Sequence, residues 1–456
     1  MSLTFITFTA ALLVYANFIL MLHRSNAAGI MLIFAVAFSV GLFQFAGVPA
    51  IFPKLVLESL IGIFFFRVWF FKEIKGDNDQ LFGFGFVIAL LLISVGSFMG
   101  NSPPFWGFIY FLRIVFIPFL FFYTLLNIHL SDKEIERINK FLVFLFMLQI
   151  PAAILKFFTI GPAEDYIGTI GIESGSLSVF MPLFAISFLV IQYFNTRHSK
   201  YIWLMLGFLF IAIVGIKRAI FIYFPFLLIL AHFLYAKLMN QEKFFNPKSI
   251  KNLFLIIGLS IVVFYAAVRI IPSLNPDDKV GGRFDPYFAW NYTQNYIIKE
   301  DIENPEHANR LNAPLMTYQM MKSQHMSRFL IGLGAGRLVH SRFVPESRKL
   351  LLNKYGLGYG ARTGILWFFI QTGLLGATFF VLFYFALLKK IYTIAKKNLA
   401  IKDKLMTIGF TVVTLSLLLD FFTYSNAFIQ NGALILPYFY IAVIILKKNN
   451  SLVIKG

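Results

Sequence analysis

Apolar runs of about 20 residues recur from one end of this 456-residue chain to the other. A helix rises ~1.5 Å per residue, so a run of that length matches the ~30 Å hydrocarbon layer of a bilayer. About 13 such runs lie near residues 3–22, 28–47, 54–71, 81–99, 106–127, 141–158, 177–194, 202–216, 219–238, 252–271, 364–388, 405–424 and 433–446. In lipid the backbone must satisfy its own N–H and C=O groups, and a helix does so within the run itself. The sequence therefore predicts an all-α, polytopic integral membrane protein of about 13 spans, 12 to 14 allowing for a miscounted pair. Hydrophobic residues make up 59% of the chain, above the roughly 45–50% usual in soluble domains. The first run, within MSLTFITFTAALLVYANFILMLHR, has its charges after the apolar stretch, unlike a cleavable signal, and is expected to be the first span.

Orientation follows from where Lys and Arg fall. The connections at 23–26, 72–80, 128–140, 195–201, 237–251 and 389–404, with the tail after Leu446, hold nearly all the loop cations. The intervening loops 101–107, 159–176 and 425–432 hold none. By the positive-inside rule the first set is cytoplasmic, which predicts an external N-terminus and a cytoplasmic C-terminus. Three regions result: residues 1–271 with ten spans, a long external loop at 272–363, and residues 364–456 with three spans.

That long loop breaks the charge pattern. Residues 310–363 carry nine Lys and Arg against the single acid Glu346, a net of +8 on the outer side. An anionic ligand near the membrane surface accounts for such an excess. Within it lies RFLIGLGAGRLVHSRF, residues 328–343. The glycines lack the GK[ST] of a P-loop and follow no βαβ strand, so a nucleotide loop is excluded. Two readings remain for them: a nest of N–H groups for an anion, or a tight turn in which glycine permits close packing. The basic half-loop favours the anion.

Other cations interrupt the apolar runs. Lys217 and Arg218, in GIKRAIF, sit at the external hairpin between the eighth and ninth spans and read as functional. Arg113 is expected to be buried, either lining a cavity or paired with Asp420 or Glu58. Lys156 and Arg269 lie near external span ends, where snorkelling is expected. The chain has no Cys and only seven His, none at HExxH spacing, so no metal site and no cofactor are expected. A soluble phosphate compound does not explain 13 spans. A lipid-linked phosphate does.

The order of these elements resembles the bacterial O-antigen polymerase and O-antigen ligase superfamily of inner-membrane glycosyltransferases, over roughly residues 160–390. Lys217–Arg218 stand where that family has a basic pair. Arg310 opens NRLNAPLMTYQMM, LIGLGAG matches a glycine string, and ARTGILWFFIQTGLLG matches the last motif. Ligase-like members carry His at the position filled here by Arg362, which favours the polymerase branch. The resemblance implies a GT-C-like architecture, with short amphipathic helices in the loop, in the bacterial inner membrane. It implies undecaprenyl-pyrophosphate-linked glycans as donor and acceptor, bound among membrane lipid without metal or nucleic acid. A chain-length regulator protein is a further implied partner. Arg218 and Arg310 would hold the donor pyrophosphate, supported by Lys217 and Arg337. Arg362 would hold the second pyrophosphate, and Arg113 is a further candidate for binding. His340 is the candidate general base, with Glu346 and His325 as alternatives and a plain loop histidine as the other reading. A lipid-linked oligosaccharide flippase and an O-antigen ligase are the competing functions.

Overall fold

The computed structural model describes Tyr15 and residues 25–45, 47–49, 51–71, 79–161, 168–170, 177–215, 220–240, 247–298, 312–339, 363–397, 399–423 and 431–453. Among these residues there are helices and turns and no strand. Helices α1 (Asn26–Phe45), α2 (Ile51–Phe71), α3 (Phe84–Asn101), α4 (Phe105–Leu126), α5 (Asp132–Ile160) and α6 (Leu177–Thr196) come first. Next are α7 (Lys200–Val214), α8 (Ile220–Tyr235) and α9 (Pro247–Ile270). The long loop contributes three short helices, α10 (Pro286–Ile298), α11 (Asn312–Lys322) and α12 (Met326–Ile331). The chain closes with α13 (Gly364–Ala395), α14 (Ile401–Thr423) and α15 (Asn431–Val453).

Twelve of these helices coincide with the second to thirteenth apolar runs, while the first run lies outside the described residues apart from Tyr15. By length and apolarity, 6 are sufficient to cross a membrane: α1, α3, α4, α5, α13 and α14. Apolar stretches of 10–17 residues lie in α6, α7, α8, α9 and α15. The fold is all-helical with the lengths and composition of an α-helical membrane protein.

Local chemistry sets the helix ends. α5 begins well before its apolar run, because Ser131 and Glu134 form a capping box. The Ser131 hydroxyl accepts the Glu134 N–H at 3.3 Å, and the Glu134 carboxylate accepts the Ser131 N–H at 2.9 Å. Between α3 and α4, Ser102 turns left-handed and Pro103–Pro104 stop one helix and start the next.

The three C-terminal helices wedge into the bundle. α13 packs on α3 and α14, α15 on α4, and α14 on α6 and α8. Within its apolar stretch α14 is 72% buried, against 22% for α3 and for α5, so α14 is interior and the other two are peripheral. Lipid offers no hydrophobic drive between helices, so side-chain fit must hold them together. Aromatic geometry supplies much of it. Phe119 meets Phe383 edge-to-face at 5.0 Å, and Phe368 stacks on Phe380 at 4.2 Å. Such pairs contribute about 0.5–1.5 kcal/mol each beyond their area. Tyr384 and Tyr438 are buried among these rings and share a hydroxyl–hydroxyl hydrogen bond of 2.7 Å.

Contacts between connections sort them into two ends. At one, Arg67 donates to Asn26 at 2.7 Å, Asn127 donates to the Gln80 carbonyl at 3.4 Å, and Lys390 pairs with Asp79. These are the connections rich in Lys and Arg. At the other, the Gly41 N–H donates to the Thr169 carbonyl at 2.8 Å, and the 101–107 connection meets the long loop. Lys156 does not snorkel there, contrary to expectation. It is buried and donates to the Gly168 carbonyl, while Gln149 holds the Thr169 N–H at 2.7 Å. A buried turn of backbone needed donors and acceptors, and two polar residues of α5 supply them.

Candidate functional site

The described part of the basic half-loop, residues 312–339 with its glycine string, is built on α11 and α12 and packs on α13. α11 buries Ala313, Thr317 and Met321, one stripe at i, i+4 and i+8, and leaves Leu315 and Tyr318 outside. α12 follows with His325 as its N-cap, whose Nδ1 accepts the Ser327 N–H at 3.3 Å. Phe329 of α12 meets Phe369 of α13 edge-to-face at 5.6 Å.

Gly332 ends α12 with φ 91°, and Gly336 follows with φ 96°. Both angles are in the left-handed region, which favours glycine. Close approach reinforces the requirement. A Cβ on Gly336 would run into the backbone of Gly107 and Phe108 in the first turn of α4. A Cβ on Gly107 would meet the Gly336 carbonyl oxygen at 2.6 Å. Gly332 presses in the same way on Gln371 and Thr372, where α13 itself breaks at Gly373 with φ 68°.

That break releases backbone groups of α13, and each has a use. The Ile370 carbonyl accepts the Leu333 N–H at 2.8 Å, and the Gln371 carbonyl accepts the Ser97 hydroxyl at 2.7 Å. The Gln371 side chain, fully buried, accepts the N–H groups of Gly336 at 3.0 Å and Leu338 at 3.3 Å. Its amide donates to the Trp367 carbonyl at 3.3 Å. Asn101 of α3 donates to the Gly332 carbonyl at 3.1 Å. The N–H groups of Gly332, Leu333, Gly336, Arg337, Leu338 and Val339 thus all have protein acceptors. Those amides are committed to holding the loop. Of the two readings of the glycines, this geometry is that of close packing.

Lys322 and Arg328 are exposed and Arg337 is half-buried. Residues 312–339 contain no Asp or Glu, and no carboxylate of the described residues pairs with Arg328 or Arg337. Arg328 is steered by neutral partners, donating to Asn101 at 3.1 Å and to Gln324 at 3.4 Å. Such partners orient a guanidinium without cancelling its charge, which leaves it able to grip phosphate oxygens.

Of the residues singled out from sequence, Arg337 belongs to this platform. Arg113 is elsewhere, inside the bundle on α4. Its Nε lies 3.0 Å from the Glu58 carboxylate of α2, a Coulombic pair in which the N–H is not aimed at the oxygen. Its guanidinium also lies 4.4 Å over the Tyr110 ring. Lys217, Arg218, Arg310, His340, Glu346 and Arg362 lie outside the described residues. Their described chain neighbours are Gly215 and Ile220 at the α7–α8 turn, Asn312 at the start of α11, Val339 after the glycine loop, and Thr363 capping α13. No three His, Asp or Glu side chains of the described residues gather at metal-ligand spacing. Gln371 and Asn101 were missed by sequence reasoning. The available signal was a Gln inside an otherwise apolar span, just before GLLG. Neither a protein-family model nor a curated protein matches the chain.

Proposed function

We propose that this chain is a glycosyltransferase of about 13 spans that polymerises undecaprenyl-pyrophosphate-linked repeat units into O-antigen or a related surface polysaccharide. The proposed site is on the outer face of the bacterial inner membrane, with the Lys- and Arg-rich connections in the cytoplasm and a GT-C-like architecture. One observation carries the reading. A cation surface without acids, including Lys322, Arg328 and Arg337, rides on a glycine-locked platform at the bundle end where the 101–107 connection carries no Lys or Arg. Net positive charge at a bilayer surface suits an anionic lipid headgroup.

In this mechanism the hydroxyl of an incoming lipid-linked unit attacks the anomeric carbon of the glycan carried by the donor lipid. The bond from that carbon to the pyrophosphate oxygen breaks, and the pyrophosphate takes the electron pair. Arg218 and Arg310 neutralise it, with Lys217 and Arg337 supporting, and Arg362 holds the acceptor's pyrophosphate. His340 receives the hydroxyl proton. Arg113, paired with Glu58 inside the bundle, is the further candidate for pyrophosphate binding.

Purified protein incubated with lipid-linked repeat units tests the reading. A ladder of products is expected, and Arg218→Ala or Arg310→Ala should abolish long chains at normal membrane insertion. Loss of one preorganised donor costs ~10²–10³ in rate. No extension by the wild-type chain overturns the reading. Movement of the unit across a bilayer without a size change would identify a flippase, and transfer onto lipid A core a ligase.

A further inference from the structure

At the end of the bundle that carries the Lys- and Arg-rich connections, two apolar helix faces run into a pair of lysines. α8 leaves Phe226, Ile229 and Phe233 exposed, at i, i+3 and i+7, and the π-helical turn after it (Ala236–Asn240) carries the exposed Lys237. α13 carries Phe385, Lys389, Tyr392 and Lys396 at i, i+4, i+7 and i+11, again one face. The Lys237 ammonium lies 5.4 Å from the Phe233 ring and 5.8 Å from the Tyr392 ring, so the exposed face of α8 turns toward α13. Lys396 lies 4.6 Å from the same Tyr392 ring. α8 and α13 do not pack closely on each other, but the interior helix α14 packs on both. The two faces thus meet over α14.

Two properties define what fits. The first is charge. No carboxylate of the described residues is within ion-pair distance of Lys237 or Lys396, while Asp79 pairs with Lys390 and Glu136 with Lys140. The sequence around them is short of acid as well. Residues 237–251 hold four Lys against Glu242, and 389–404 hold six Lys against Asp403. An aromatic ring attracts an ammonium without cancelling its charge, so two like charges gathered on Tyr392 call for an anion. Each ammonium brings three donors and the Tyr392 hydroxyl one more, a set suited to phosphate oxygens. A headgroup with an ammonium of its own would meet repulsion there. The second property is access from lipid. The exposed Phe226, Ile229 and Phe233 of α8 and Phe385 of α13 lead up to the lysines, and apolar faces of membrane helices lie against acyl chains. The phosphate should therefore arrive on acyl chains.

We infer that Lys237, Lys396 and Tyr392 form a binding site for an anionic phospholipid, its phosphate between the two ammonium groups and its acyl chains along α8 and α13. Basic pockets between membrane helices hold anionic headgroups in this way. The site is separate from the glycine-loop platform, and its assignment does not depend on the polymerase reading.

Native mass spectrometry of the full chain exchanged into nanodiscs tests this. Discs hold phosphatidylglycerol mixed with phosphatidylcholine of equal chain length. One phosphatidylglycerol should stay bound per protein, preferred by about tenfold, the scale that two lysines near an anionic surface supply. Lys237→Ala with Lys396→Ala should remove the preference, and both side chains are exposed, so folding should survive. Lys397→Ala with Lys402→Ala takes the same charge from the same end. Lys397 is off the Tyr392 face and Lys402 lines a cavity with residues of α5, so that variant should keep the preference. Equal retention of the two lipids by the wild-type chain overturns the inference, as does a preference unchanged in the Lys237–Lys396 variant. Equal loss in the two double variants would reduce the effect to the net charge of that end and would equally overturn it.

Discussion

The two ends of the bundle are closed by different means. At the glycine-loop end, backbone meets backbone: Gly336 against Gly107, and Gly332 against Gln371 and Thr372 beside the break at Gly373. The amides there are taken up by Gln371 and by carbonyls of α13. At the other end side chains span the gaps, as in Arg67 to Asn26, Lys390 to Asp79 and Tyr440 to Asn139. A cavity of about 560 Å³ remains among them. The difference is mechanical. Backbone contact through glycine has no rotamers to adjust, so that end is a stiff platform on which arginines can be aimed. Side-chain closure can relax, so the other end can admit a ligand and tolerate substitution.

The largest test replaces Gly336 by Val. Two costs combine there. Left-handed backbone in a non-glycine residue costs ~1–3 kcal/mol, and forcing bulk into a packed contact adds ~1–3 kcal/mol. The variant should lose folded protein, read as a collapsed monodisperse peak in detergent chromatography and a thermal midpoint lowered beyond any other single change. Gly281→Ala is the matched control, because Gly281 has φ 79° with nothing within 4 Å of the added Cβ. It should cost only the backbone share, ~1–2 kcal/mol. Equal losses in the two would show that φ alone matters and that the Gly336–Gly107 contact does not.

Next in size is Gln371→Leu, which deprives the buried Gly336 N–H and the part-buried Leu338 N–H of their acceptor. Each unsatisfied group costs ~1–3 kcal/mol. The signature is local. Hydrogen exchange at Gly336 and Leu338 should quicken, while exchange in the Tyr384–Tyr438 core should change only by the global loss of stability. Unchanged protection at 336 and 338 would remove Gln371 from the platform.

These two positions also mark how far the sequence could be read. Hydropathy located the spans well: the run at 106–127 is α4 at Phe105–Leu126, and the run at 177–194 is α6 at Leu177–Thr196. It began α5 at 141 instead of Asp132, because the charges before that point resemble a loop unless the Ser131–Glu134 box is given weight. Among the described residues six helices qualify as spans by length and apolarity, and α2 carries Lys54, Glu58 and Arg67 within its length. The break at Gly373 was invisible, because hydropathy does not register the sign of φ. The Gly107–Gly336 contact joins residues far apart in the chain, and nothing local encodes it. For the same reason Lys156 was misjudged: its partner, the Gly168 carbonyl, is a backbone atom with no mark in the sequence.

A smaller loss is expected where side chains do the closing. Asp79→Asn should cost about 1 kcal/mol, since the Lys390 pair is only partly shielded and lies between the surface and buried regimes. Lys390→Met with Asp79→Leu should recover most of it, because removing both charges leaves neither unpaired. Thermal midpoints of the two variants decide the matter. A double variant as damaged as Gly336→Val would mean that the basic end is as rigid as the other.

The smallest effect on stability, and the most informative, is expected from Arg337→Ala. Arg337 sits on the platform with its N–H fixed to the Gly334 carbonyl at 3.1 Å, so the backbone bond survives truncation of the side chain. No carboxylate of the described residues depends on the guanidinium, so removing it leaves no buried charge unpaired. Stability should change by the ~0.5 kcal/mol or less typical of such changes, leaving the thermal midpoint nearly unmoved. Polymer length made from lipid-linked repeat units should nonetheless fall, and Arg337→Lys should restore it only in part, since an ammonium cannot match the two-pronged grip on a phosphate. The two readouts therefore separate the platform from its cargo of charge. A large stability loss would make Arg337 part of the lock itself. Full-length polymer from the Ala variant would remove it from the substrate and leave that work to other cations of the half-loop.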